Sequence, residues 1–114
     1  MSESCRKAVQ FVKNSPIFQD LEVHVVTVSP NEKEEDRLKR LQSAESELQG
    51  FVGSLTCQML HGETATQVIE YVKDQEIDLL LMGAYGHNRI RRLIIGSSTT
   101  EMLRGCQVPS ILFR

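Results

Sequence analysis

The 114-residue sequence predicts an α/β protein whose strands form an open parallel sheet with helices on both faces. Segments with helical spacing of apolar residues alternate along the chain with short apolar runs that are typical of buried strands. One of these runs, residues 78–82, leads directly into a glycine turn that begins at Gly83. Ligands of parallel sheets bind beyond the carboxyl ends of strands, so this turn lies where a binding site is expected.

The first predicted elements are a helix over residues 3–14 and a strand over residues 21–28. Ser2 is a suitable helix cap, and Pro16 follows the end of the helix. The apolar face of the helix consists of Cys5, Ala8, Val9 and Val12. The strand is rich in valine and is followed by a Ser-Pro pair, which is typical of a buried strand that ends there.

A second helix is predicted from about residue 32 to residue 51, followed by a strand over residues 54–60. One face of this helix is expected to carry Leu38, Leu41, Ala44, Leu48 and Val52. The mixed charges of residues 32–37 are typical of solvated first turns, where acidic side chains suit the helix dipole.

The second half of the chain repeats the alternation. A helix is predicted between Glu63 and Asp74, and the carboxylate of Glu63 is explained by the helix dipole better than by acid–base catalysis. The stripe of this helix is Ala65, Val68, Ile69 and Val72. The remaining elements are a strand over 78–82, a helix over 97–104 and a strand over 109–113. This α-β-α-β-α-β-α-β order implies right-handed crossovers between parallel strands.

Composition and charge restrict the class of protein. The chain is long enough for one domain, and 40% apolar with 25% charged residues is ordinary for a globular protein. A formal net charge of −2 gives no electrostatic basis for binding nucleic acid or an anionic membrane. The sequence has no long apolar run and no signal-peptide core, so a cytoplasmic location is expected. Cys5, Cys57 and Cys106 are expected to be reduced core thiols rather than disulfides or zinc ligands.

A motif of glycines and serines follows the third predicted strand. Gly83 and Gly86 are separated by two residues, and Gly96 follows after nine more, directly before Ser97 and Ser98. Glycine allows a sharp turn and a close approach to a ligand. A helix that begins Gly-Ser-Ser offers unpaired N–H groups, hydroxyls and the positive end of its dipole to an anion. The motif therefore predicts a phosphate site, and turn glycines with simple helix capping are the alternative.

The pattern Gly-x2-Gly-x9-Gly-Ser after a strand that ends in Leu-Met resembles the nucleotide-binding signature of the universal stress protein family. The resemblance extends from residues 2–8 to residues 108–114. It implies a Rossmann-like fold of the adenine nucleotide alpha hydrolase type. It also implies a bound adenine nucleotide, ATP with Mg²⁺.

The resemblance further implies which residues contact the nucleotide. Glycine amides and hydroxyls would hold the phosphates, while strand ends would frame the base and ribose. The implied binding residues are Val28, Met82, Gly83, Gly86, His87, Gly96, Ser97, Ser98 and Thr99. The two serines and Thr99 also suit helix capping, Met82 also suits a core position, and His87 also suits a solvated loop.

Other basic side chains near the motif have two interpretations. Arg89, Arg91 and Arg92 either attract phosphate charge or belong to a segment that packs against protein through the apolar residues beside them. His24 and His61 have no partner at metal-ligand spacing, so structural roles are expected and no metal ligands are predicted.

One element of the family is missing from the sequence. The family's domain begins with a strand that ends in an acidic residue, whereas Met1 stands where that strand would just have ended. The family strand order would place the absent strand centrally, beside the strand that precedes Gly83. The domain over residues 1–114 is thus expected to be incomplete at its N-terminus. Met1 is then an internal methionine, or the chain is the tail of a tandem protein, or a partner chain supplies the strand.

The sequence therefore predicts a regulatory protein that binds ATP in a stress response. The chain carries no nucleophile–base pair and no carboxylate dyad in motif form, so no chemistry beyond slow ATP hydrolysis is expected. The alternative is a dimerisation module whose nucleotide site no longer binds. In either case a homodimer is expected through the last strand, residues 109–113, unless a sister domain takes the place of the second copy.

Overall fold

Helices and strands alternate along the part of the chain that the computed structural model describes, residues 3–28, 32–83 and 97–113. The elements are α1 (Glu3–Asn14), β1 (Glu22–Val28), α2 (Glu34–Leu48), β2 (Ser54–Leu60), α3 (Thr64–Asp74), β3 (Leu80–Gly83), α4 (Ser97–Gly105) and β4 (Ser110–Phe113). The predicted α/β class with parallel strands is confirmed.

Some bounds differ from the prediction for local reasons. α2 is shorter than expected because the chain turns after Leu48, where Phe51 N–H donates to the Leu48 carbonyl and Gly50 adopts a φ of +88°. A short 3-10 helix, Pro16–Asp20, was not predicted. Proline lacks an N–H and has a fixed φ, so it suits the first turn of this helix as well as the end of α1.

The described strands form two parallel pairs. β1 pairs with β2 over seven positions, from Glu22 opposite Ser54 to Val28 opposite Leu60. β3 pairs with β4 over four positions, and Gly83 lies opposite Phe113 at the carboxyl end. The chain divides into two compact units, and each pair belongs to one of them. One unit is Val9–Gly62, and the other combines Met1–Ala8 with Glu63–Arg114.

In the unit Val9–Gly62, α2 packs against both β1 and β2. The buried apolar residues of this unit are Val12, Phe18, Leu41, Ala44 and Leu48. The prediction that Leu38 faces this core is wrong, because its side chain is 45% exposed, whereas the neighbouring Arg37 is only 6% exposed. The buried stripe of α2 therefore runs through Arg37, Leu41, Ala44 and Leu48, and a charged residue begins it.

In the other unit, α3 packs against α4. The buried apolar residues are Ala65, Val68, Val72, Met102 and Cys106. A Cβ at Gly105 would overlap the side chain of Ile69, so glycine permits the close approach of these helices.

The three cysteines differ in exposure. Cys106 is buried and Cys57 is half-buried, but Cys5 is exposed, so the prediction of a core thiol is wrong for Cys5. Burial raises the pKa of the Cys106 thiol. Burial also raises the pKa of Cys57, and the carboxylate of Glu45 adds to that shift.

Among the described helices, none combines the length and the apolar character that crossing a membrane requires.

Candidate functional site

Three of the predicted binding residues end strands. Val28 is the last residue of β1, while Met82 and Gly83 are the last two residues of β3. All three are half-buried. Carboxyl ends of parallel strands are the usual location of ligands in α/β proteins. Val28 belongs to the unit Val9–Gly62, and the two β3 residues belong to the other unit.

Gly83 has a packing partner in α1. A Cβ at Gly83 would overlap Ser4 Oγ and would lie 3.1 Å from Ser4 Cβ and 3.2 Å from the Cys5 backbone nitrogen. Ser4 is itself buried, with 6% of its surface exposed. The first turn of α1 thus gives this position a reason to be glycine that does not require a ligand.

The serines and threonine of the motif begin α4. Ser97, Ser98 and Thr99 form its first turn, where backbone N–H groups have no partner within the helix. The predicted residues Gly86, His87 and Gly96 lie outside the described residues, as do the three loop arginines.

Glu63 caps α3 rather than serving only as a charge near its dipole. Its carboxylate accepts hydrogen bonds from the backbone N–H groups of Ala65 at 3.0 Å and Thr66 at 3.1 Å, and from the Thr66 hydroxyl at 2.6 Å. These bonds, led by the one from the Thr66 hydroxyl, lower the pKa of Glu63. The carboxylate is engaged with its own helix, in agreement with the prediction that it has a structural role.

Arg37 is a residue of interest that sequence reasoning missed. Its side chain extends from the first turns of α2 to the carboxyl end of β2, where Nη1 donates to the Leu60 carbonyl at 3.3 Å. Nη2 lies 3.4 Å from His61 Nδ1, and Nε is buried without a hydrogen-bond partner among the described residues. Because Leu60 is the register partner of Val28, Arg37 lies at the same edge as a predicted binding residue.

Arg40 lies one turn further along α2 and differs in its ion pairing. Its Nη2 donates to Glu32 Oε1 at 2.8 Å and to Thr27 Oγ1 at 3.4 Å, near the carboxyl end of β1. Nε of Arg40 is also buried without a hydrogen-bond partner in the described part of the chain. The two guanidinium groups therefore lie over the ends of both strands, but among the described residues only Arg40 has a carboxylate partner.

In the described part of the chain, His24 and the acidic groups do not form a metal centre. His24 Nε2 lies 2.8 Å from Glu22 Oε2, near the amino end of β1. Within residues 3–28, 32–83 and 97–113, no cluster of three or more His, Cys, Asp and Glu side chains has the arrangement of a metal site.

Comparison with known sequences gives a family. A model of the universal stress protein family matches residues 1–114. The chain is 40% identical over 113 residues to the universal stress protein Slr1230 of Synechocystis sp., a match that covers 99% of this chain and 39% of that protein. The chain thus spans less than half the length of the curated relatives that it matches.

Similar solved structures share the fold. The structure of hypothetical protein MJ0577 superimposes with a TM-score of 0.85 at 17% identity, covering 99% of this chain and 89% of that chain. A universal stress protein in complex with cAMP gives a TM-score of 0.75 at 14% identity, covering 100% and 89%. A universal stress protein family protein of Arabidopsis thaliana with AMP bound gives 0.69 at 13% identity, covering 96% and 77%. At such identities the likeness shows the α/β fold.

Proposed function

The chain belongs to the universal stress protein family, and from this premise we propose that it binds an adenine nucleotide, ATP with Mg²⁺. The role proposed for the bound nucleotide is regulation in a cytoplasmic stress response rather than turnover. The observation that carries the proposal is the order of the parts: a parallel strand ends at Gly83, and the next described element, α4, begins at Ser97 with the serine pair of the motif. Two proteins with this fold are described as complexes with cAMP and with AMP.

The residues that begin α4 suit the phosphates of such a nucleotide. The first N–H groups of a helix lack partners within the helix and carry partial positive charge, so they attract an anion. Ser97 and Ser98 add two hydroxyl donors at this point. Magnesium would gain its ligands from phosphate oxygens and water, since Mg²⁺ in nucleotide sites keeps several waters. Met82, at the end of β3, is proposed to lie beside the base and ribose.

Calorimetric titration with ATP and Mg²⁺ tests the proposal. A hydrogen bond to a charged group contributes about 1.5–3 kcal/mol, so the double variant Ser97→Ala/Ser98→Ala is expected to bind ATP at least about tenfold more weakly. Ser43→Ala/Ser46→Ala is the matched control, because both serines are exposed on α2. Unchanged affinity in the first variant with a lower Tm would mean that the two serines only cap α4, and absence of ATP binding by the unaltered chain would refute the proposal.

A second proposed function, self-association, rests on β4. This strand pairs with β3 alone among the described strands, and Ile111 on it is 36% exposed. An apolar edge strand invites pairing with an identical strand, and a two-fold axis closes the assembly as a dimer. Light scattering is expected to give a dimer for the unaltered chain and a monomer for Ile111→Lys. A monomer for the unaltered chain at about 50 μM would contradict this assignment, since a working interface has to be populated in this concentration range.

A further inference from the structure

We propose that Arg37 is an oxyanion receptor: its guanidinium, at the carboxyl end of the β1–β2 pair, binds a phosphate or carboxylate group of a ligand. This inference goes beyond nucleotide binding at α4, and it concerns residues of the unit Val9–Gly62 alone. The observation that carries it is a buried cation for which the described residues supply no counter-ion.

Arg37 is 6% exposed, and an arginine side chain keeps its charge at all ordinary pH values. Within the described residues no carboxylate lies within ion-pair distance of its guanidinium. The two internal segments outside those residues, 29–31 and 84–96, contain neither Asp nor Glu. Burying an unpaired charge opposes folding. The presence of such a charge at the edge where ligands of parallel sheets bind therefore indicates that the side chain has a function.

The hydrogen bonds of Arg37 leave room for a stronger acceptor. The bond to the Leu60 carbonyl, at 3.3 Å, orients the guanidinium over the end of β2. The contact with His61 is longer, at 3.4 Å, and its partner is an exposed side chain. A guanidinium pairs with planar oxyanions through two parallel hydrogen bonds of about 2.7–2.9 Å. An anion that displaces the imidazole of His61 would therefore replace one long contact with two short hydrogen bonds between opposite charges.

Arg40 provides an internal comparison. It lies on the same helix and over the same edge, but Glu32 neutralises it at 2.8 Å. The exposed carboxylates of Glu34, Glu35 and Asp36 surround the start of α2 and oppose general attraction of anions. Binding at this edge would thus report the particular geometry of Arg37 rather than a diffuse positive surface.

Nuclear magnetic resonance of the arginine Nε–H groups tests the inference on the whole chain. The buried Nε–H of Arg37 is shielded from solvent exchange, and Arg37→Met identifies its signal by deletion. Inorganic phosphate is expected to shift this signal saturably, while the Nε–H signal of Arg40 moves less. Sodium chloride at equal ionic strength is the control. Acetate and AMP tell whether the site prefers a carboxylate or a phosphate ester.

The titration is repeated in the Ser97→Ala/Ser98→Ala background, so that failure of the proposed nucleotide site and failure of this one are distinguishable. A saturable shift of the Arg37 signal in that background supports the receptor. An Arg37 signal that does not move, or that moves equally with chloride, overturns it.

Thermal denaturation gives an independent readout. In phosphate-free chloride buffer, Arg37→Met is expected to have a Tm at or above that of the unaltered chain, because the variant removes a buried charge to which no described carboxylate is paired. Arg40→Met, which breaks an ion pair, is expected to have a lower Tm. If Arg37→Met instead melts well below the unaltered chain or does not fold, the guanidinium is a structural group and the inference is wrong.

Discussion

The two parallel strand pairs end in different ways. The β3–β4 pair ends at Gly83, where the absent side chain leaves room for Ser4 of α1. The β1–β2 pair ends beneath the guanidinium of Arg37, for which the described residues supply a carbonyl and an imidazole but no carboxylate. Packing within the protein accounts for the first arrangement. It does not account for the charge in the second.

The two pairs show that a glycine at a strand end and a buried charge differ in how strongly they indicate a ligand site. Glycine at a strand end is typical of ligand sites, yet a neighbouring side chain can require it equally well. A buried charge is harder to explain by packing, because an apolar side chain of similar volume would fill the space without the cost of desolvation. The motif around Gly83 is the more visible signal in the sequence, whereas Arg37 is the stronger one in the structure.

The largest loss of stability is expected at a glycine whose added Cβ would overlap backbone atoms. A Cβ at Gly53 would lie 2.8 Å from the carbonyl carbon of Asp20 and 2.9 Å from the oxygen of Leu21. Neither atom can move without shifting β1, so Gly53→Ala is expected to lower the unfolding free energy by about 3 kcal/mol. Chemical denaturation measures this change.

Gly50→Ala is the control, because the space around Gly50 is open and only its positive φ of +88° opposes a side chain. That conformation costs an alanine roughly 1–2 kcal/mol. Equal losses for the two variants would show that steric overlap at the amino end of the β1–β2 pair does not require glycine at position 53.

Gly83→Ala tests the packing explanation at the other pair. Ser4 can yield more than backbone can, so the expected loss of stability is about 1–2 kcal/mol. In a Ser4→Ala background the hydroxyl is absent, and the cost of Gly83→Ala is expected to fall by about 1 kcal/mol in a double-mutant cycle. If the two substitutions show no coupling and Gly83→Ala loses ATP affinity, the glycine is required by the ligand and not by Ser4.

The smallest effect concerns the cap of α3. Because its hydrogen bonds lower the pKa of Glu63, the carboxylate stabilises the fold above the ordinary carboxyl pKa of ~4.3 and loses this effect as pH falls through the lowered value. Glu63→Ala is expected to have the lower Tm at pH 7, with a difference that narrows below pH ~4.3. Glu70→Ala, an exposed carboxylate variant of the same helix, is the control. A Tm difference for Glu63→Ala that is the same at pH 7 and at pH ~2.5 would contradict the assigned pKa shift.

Local patterns were sufficient to predict most of the fold. The limits of β2, Ser54–Leu60, match the predicted ones, and α3 follows from the stripe of Ala65, Val68 and Val72. The position of Glu63 alone predicts a helix start, and the structure adds the atoms to which it bonds. These features depend on residues that are close in sequence.

Features that depend on distant residues were not predictable. The helical spacing of α2 is compatible with either Leu38 or Arg37 on the buried stripe, and the carbonyl of Leu60 at the end of β2 favours the arginine. Likewise, the contact of Gly83 with Ser4 joins opposite ends of the chain. Sequence reasoning therefore identified residue types suited to phosphate but could not separate packing from binding at Gly83.

The seven-position pairing of β1 with β2 has a consequence for amide hydrogen exchange. In a parallel ladder, successive N–H groups of one strand point to opposite sides, so β2 protects only every second amide of β1. The described residues place no other strand beside β1. Exchange rates along Glu22–Val28 should consequently alternate between slow and fast from one residue to the next. Uniformly slow exchange would indicate a second strand beside β1, on the side opposite β2. The alternation therefore reports whether another strand pairs with β1 in a longer protein or a complex.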